Sequence, residues 1–103
     1  MEKPKLTLDD VKVGYVYISS DSYYNSFKVL EIIPDENIVK IDAWVELLDG
    51  SKHSYGLMEI RYKGETNSRE RASMEKRIHL YSIDYEASYR AIVAEEVKEA
   101  FNG

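Results

Sequence analysis

Cysteine is missing from this 103-residue chain, which excludes disulfides, thiolate metal sites and cysteine nucleophiles. Its 5 glycines are dispersed and its prolines number only 2, so there is no glycine-rich loop to cradle a phosphate. Histidine occurs twice, as His53 and His79. Two separated histidines without cysteine do not make a metal cluster, and no cofactor or metal is expected. No uncharged stretch approaches the ~20 residues of a membrane helix. The opening Met1-Glu2-Lys3-Pro4-Lys5 carries no apolar run, so a secretory signal is not expected and a cytoplasmic location is.

What is present suits one soluble domain. Apolar residues make up 44% and charged residues 32%, a globular rather than a disordered profile. The length leaves no room for a second core. The expected division is a leading segment at 1–13, an antiparallel β core at 14–82 and a helix at 84–101. The net charge is -5, unevenly spread. Residues 61–77 hold six basic groups (Arg61, Lys63, Arg69, Arg71, Lys76 and Arg77) against three acidic ones. This basic island lies between two acidic segments.

Local patterns mark out the core. Leu8–Val11 suggests one turn of helix. Tyr15–Ile18 reads as a first strand. Phe27–Ile33 reads as a second, ended by Pro34, which cannot donate to a ladder. Ile38–Leu48 and Ser51–Tyr62 read as strands joined by Asp49-Gly50, the pair a two-residue hairpin loop favours. That loop sets Val39 opposite Ile60, Ile41 opposite Met58 and Ala43 opposite Gly56, an apolar or small face throughout. A four-residue loop at Pro34–Asn37 sets Ile33 against Ile38, Ile32 against Val39 and Leu30 against Ile41, extending that face. The other face carries the row Glu31, Lys40 and Glu59, whose opposite charges favour the register. It also carries an unexpected row, Phe27, Trp44 and Tyr55.

Beyond Tyr62 the pattern weakens. Asn67 or Ser68 can cap a short helix at 69–76, with Glu70 closing a capping box to Asn67. Ile78, Leu80 and Ile83 then suggest a fifth strand, and a helix straight through is the alternative. Asp84 is a good N-cap for a final helix. Its stripe of Tyr85, Tyr89, Ile92, Val93, Val97, Ala100 and Phe101 must bury itself on something. The fold class is therefore α+β, a small antiparallel β-barrel or curved sheet of about five strands with a C-terminal α-helix.

The meander opened by Val11-Lys12-Val13-Gly14-Tyr15-Val16-Tyr17 resembles a small Src-homology-3-like barrel of the Tudor or KOW kind over roughly residues 11–82. The resemblance is one of strand count and spacing. The chain departs from it in lacking a clear short helical turn before the last strand, unless residues 69–76 supply one, and the resemblance implies a module that binds peptides, modified side chains or nucleic acid rather than an enzyme.

The chemistry is sparse. His53, facing Glu46 across the hairpin with Glu59 and Arg61 beyond, offers the parts of a small ribonuclease; a strand-edge charge pair explains it as well. Ser73-Met74-Glu75-Lys76 matches Ser-x-x-Lys, but the companion motifs of acyl-serine enzymes are missing. The nine tyrosines are the compositional oddity, because tyrosine favours interfaces. Tyr23 and Tyr24 fall in a polar loop beside the Phe27, Trp44 and Tyr55 row. Those five residues are the candidate binding surface, unless the C-terminal helix covers the row. The function expected is a non-catalytic protein-binding or regulatory module, with a protein partner or self-association as a homodimer. A nucleic-acid adaptor using the basic island is the alternative, opposed by the net charge.

Overall fold

The computed structural model describes residues 5–19, 25–67 and 71–102, with side chains as far as residue 100. Its strands β1 (Val16–Ser19), β2 (Asn25–Ile33), β3 (Ile38–Glu46), β4 (Lys52–Arg61) and β5 (Tyr81–Ile83) form one antiparallel sheet. The strand order is β4-β3-β2-β1-β5. The curved sheet stays open, so of the two forms expected the barrel is set aside. Helix α1 (Met74–Arg77) and a 3-10 turn at Ile78–Leu80 precede β5, and α2 (Tyr85–Asn102) ends the fold. The helical turn before the last strand is therefore present. No helix among the described residues is long and apolar enough to cross a membrane.

The two turns behave as expected at one end of each hairpin and differ at the other. Pro34–Glu36 is a 3-10 turn closed by Asn37 in the left-handed region, and Ile33 pairs with Ile38. Asn37 also clasps the end of β4. Its Nδ2 donates to the Lys63 carbonyl at 3.0 Å and its Oδ1 accepts from the Lys63 N–H at 2.8 Å. The charge ladder forms, with Lys40 Nζ 3.7 Å from Glu31 and 3.9 Å from Glu59.

At Asp49-Gly50 the loop has three residues, not two. Gly50 N–H donates to the Leu47 carbonyl and Leu47 N–H to the Ser51 carbonyl. This is a type I turn followed by a glycine at positive φ; Gly50 has φ 87°. Pairing near the turn is offset by one residue, so Glu46 faces Lys52 and Val45 faces His53. A bulge between Ala43 and Trp44, at Tyr55 and Gly56, restores the expected register, and Ala43 faces Gly56. A second bulge, at Leu30 in β2, sets Val29 rather than Leu30 opposite Ile41, and Phe27 opposite Ala43.

The core is the face formed by Val29, Val39, Ile41, Ala43 and Ile60, with Tyr17 and Phe27 from β1 and β2. Val11, Met74 and Ile78 cover it. Burying side chains of the last two sizes stabilises by ~1.5–3 kcal/mol each, which holds the 71–80 segment down. The Asn67–Glu70 capping box involves a residue outside those described. Ser73 caps α1 instead, its buried Oγ accepting from the Lys76 N–H.

Helix α2 begins as expected at Asp84, whose carboxylate accepts from the Ala87 N–H at 3.0 Å. It rests on β1. Ser88 Oγ accepts from the Val16 N–H at 2.7 Å, and Ile92 lies against Gly14. The Ser88 contact is made through the Val16 backbone, in the sheet plane just past the end of β5.

Tyr17 ties the leading segment to the sheet. Its side chain is fully buried, donates to the Asp10 carbonyl at 2.5 Å and accepts from the Lys12 N–H at 3.0 Å. Burial pushes its pKa from 10.0 to about 12. A pKa raised on folding contributes stability that is complete below the unfolded value and is lost as pH climbs through the folded one. Stability should therefore fall by roughly 2–3 kcal/mol between about pH 10 and pH 12. Tyr17→Phe should cost about 1–3 kcal/mol at pH 7 by stranding two backbone groups and should remove that alkaline fall in urea titrations. A variant as stable as the parent, or one keeping the alkaline fall, would show that this latch is unimportant. Gly50→Val should cost about 1–2 kcal/mol through its positive φ, and Gly50→Asn much less. Equal thermal midpoints for the two variants would contradict the turn.

Candidate functional site

The bulges decide where the aromatic residues go. With Phe27 opposite Ala43, its ring turns inward and is buried. It stacks on Tyr17 at 5.1 Å and meets the edge of Tyr81 at 4.9 Å. Trp44 faces Ser26 and Ser54 rather than Phe27 and Tyr55. The expected row of Phe27, Trp44 and Tyr55 across three strands is therefore not formed, because each neighbour of β3 contains one extra residue. Tyr23, Tyr24 and Arg69 lie outside the described residues.

The three aromatics nevertheless meet, around a cavity instead of along a row. A cleft of about 360 Å³ is lined by Phe27, Trp44, Tyr55 and Tyr81, by Ile41, Ala43 and Met58, by Asn25 and Ser26, and by Arg71 and Arg77. The strands supply one wall and the 71–81 segment the other. Tyr55, at the bulge, is 57% exposed at the mouth. Arg77 is half-buried, and its Nε donates to the Ala72 carbonyl at 2.9 Å. Burial pulls its pKa below the usual arginine value, and a hydrogen bond with Tyr81 opposes that pull. Desolvation disfavours the charged form, so a cation held here attracts an anion more strongly than one in water.

The basic island is thus divided. Arg71 and Arg77 line the cleft. Lys76 is bound to Glu65 at 2.8 Å, Lys63 lies 5.6 Å over the Tyr62 ring, and Arg61 is exposed on β4. The sequence kept the aromatic and basic candidates apart, and the fold merges part of each. Tyr81 was missed, because nothing in its local pattern says that it meets Phe27.

A second cavity of equal volume lies between α2 and the β1–β2 face, lined by Gly14, Lys28, Leu30 and Ile92 with Glu95, Glu96 and Glu99. It lacks the convergence of aromatic and cationic groups that marks the first.

Neither catalytic arrangement considered from the sequence is assembled. His53 sits opposite Val45, with its ring edge-on to Tyr55 at 5.5 Å, while Glu46 faces Lys52. Ser73 Oγ serves as a helix cap and the Lys76 amine is bound to Glu65. No group of three or more histidine, aspartate or glutamate residues suited to a metal is found among the described residues. No family model, curated protein or solved structure matches the chain.

Trp44 is the only tryptophan and no α2 side chain lines its cavity. The expectation that the C-terminal helix covers it is therefore corrected: α2 is occupied with β1. Acrylamide should quench Trp44 in the full-length protein. Ile92→Asp, which loosens α2 from Gly14, should leave the Trp44 emission maximum unchanged while circular dichroism confirms the fold. A red shift in that variant would return α2 to Trp44.

Proposed function

We propose that this chain is a non-catalytic protein-binding or regulatory module of the cytoplasm whose recognition site is the cleft between the sheet and the 71–81 segment. The observation that supports this most is the gathering of Trp44, Tyr55, Arg71 and Arg77 around one concavity. Tryptophan, tyrosine and arginine are the residue types that dominate the energetics of protein interfaces.

The protein reading is favoured over a nucleic-acid adaptor because the basic island is not a continuous stripe. Lys76 is neutralised by Glu65 and Lys63 is drawn to Tyr62. A chain of net charge -5 gains little from long-range attraction to phosphate.

The test is crosslinked capture from the source lysate with the full-length protein and with Trp44→Ala/Tyr55→Ala. The double variant should keep its fold by circular dichroism and lose the captured protein, or lose dimerisation if the partner is a second copy. Equal capture by both forms would overturn the cleft as the site. Retained RNA that washes away steeply with salt would overturn the protein reading in favour of Arg61, Lys63 and their neighbours.

A further inference from the structure

Resting on that protein-binding reading, we infer that the occupant of the cleft is an extended acidic segment of a partner, added as a sixth strand beside β4. Three observations converge on this. First, β4 is the terminal strand of an open sheet, and among the described strands only β3 pairs with it. It is ten residues long and mostly exposed, so one side of its backbone can template another strand.

Second, Tyr55 and Met58 of that same strand line the cleft. A strand pairs ~4.8 Å from its neighbour and points alternate side chains to one face. An added segment therefore presents every second residue to the cleft mouth, where Arg71 stands. Arg71 also borders a smaller hollow with Glu59 and Ile60 further along β4, so it flanks the path of such a segment.

Third, the charge is one-sided. Two arginines line the cleft and no carboxylate does. The guanidinium fork matches a carboxylate bidentately. Arg77 is already partly desolvated, and an incoming carboxylate offsets the cost of keeping it so. The space suits one or two side chains rather than the run of phosphate contacts that a nucleic acid makes. The bulge at Tyr55 interrupts the flat edge that would pair with any strand, which leaves charge to select the partner.

The test uses phage-displayed random linear peptides with the full-length protein as bait. Enriched peptides should carry Asp or Glu at alternate positions. Arg71→Glu, at an exposed position, should weaken them about tenfold or more and should select Lys or Arg in their place. Hydrogen exchange with a selected peptide bound should protect amides of β4 and leave α2 unchanged. Peptides without an acidic preference, or peptides bound equally by Arg71→Glu, overturn the acidic segment while the protein-binding reading stands. Protection confined to other elements overturns strand addition in the same way. Failure to enrich any peptide overturns the acidic segment; a dimer in sedimentation then keeps the protein-binding reading with a second copy as occupant, whereas a monomer that binds RNA overturns that reading as well.

Discussion

The central constraint in this fold is that β3 is paired on both sides while each neighbour carries one residue too many. Leu30 in β2 and Tyr55 in β4 are those extra residues. A one-residue change in register exchanges the two faces of a strand. Each bulge therefore divides its strand into a half that follows the turn and a half displaced by one place. On the turn side of Leu30, Glu31 meets Lys40 and closes the charge ladder with Glu59. On the far side, Phe27 turns inward. Without the bulge, the ring would turn away from the core, which would lose the residue that joins Tyr17 to Tyr81.

The cleft follows from that inward turn. Phe27 is the contact through which the 71–81 segment reads the sheet: Tyr81 packs on its edge and Arg77 bonds to Tyr81. Met74 and Ile78 hold the same segment from below. Arg77 is thus held beside the cleft by packing rather than by charge. Sites whose walls are strands and whose cations are held by core contacts lose less entropy on binding than sites on loops.

Much of this was legible in the sequence, and the unreadable part has one cause. Pro34–Asn37, Asp84 and the alternation of Val39, Ile41 and Ala43 declare themselves through local chemistry, and the strands, the core face and the start of α2 follow. A bulge adds one residue without changing composition or hydrophobicity. Leu30, beside Val29, fits an apolar strand in either register. Asp49-Gly50 suits a two-residue loop and, with Leu48, a three-residue one, since both need positive φ at glycine. A trace of the β4 bulge was present: a glycine inside a strand, Gly56, often marks one. Read as a small partner for Ala43, it explained the pairing at its own position and concealed the displacement beyond it. The meeting of Phe27 with Tyr81 depends on residues over fifty positions apart, beyond the reach of any local pattern.

The placement of α2 explains why the cleft stays open. The helix has two candidate surfaces to bury. Ser88 and Ile92 lie on one, and Tyr85, Tyr89 and Val97 on another, all three of the latter well exposed. The sequence reads Ile92, the two tyrosines and Val97 as a single apolar stripe. The structure uses the first, because β1 offers something the tyrosines cannot satisfy. The Val16 N–H, in the sheet plane just past the end of β5, needs a partner, and Ser88 Oγ supplies it, while the Asp84 N–H serves the Val16 carbonyl. Leaving a buried backbone group unpaired costs about 1–3 kcal/mol, comparable to the gain from burying one large apolar side chain. That one bond to Ser88 is therefore worth as much as burying a tyrosine that keeps its hydroxyl in water. Hydrogen bonding at Val16 thereby fixes the helix on β1, away from the cleft, which no α2 side chain lines.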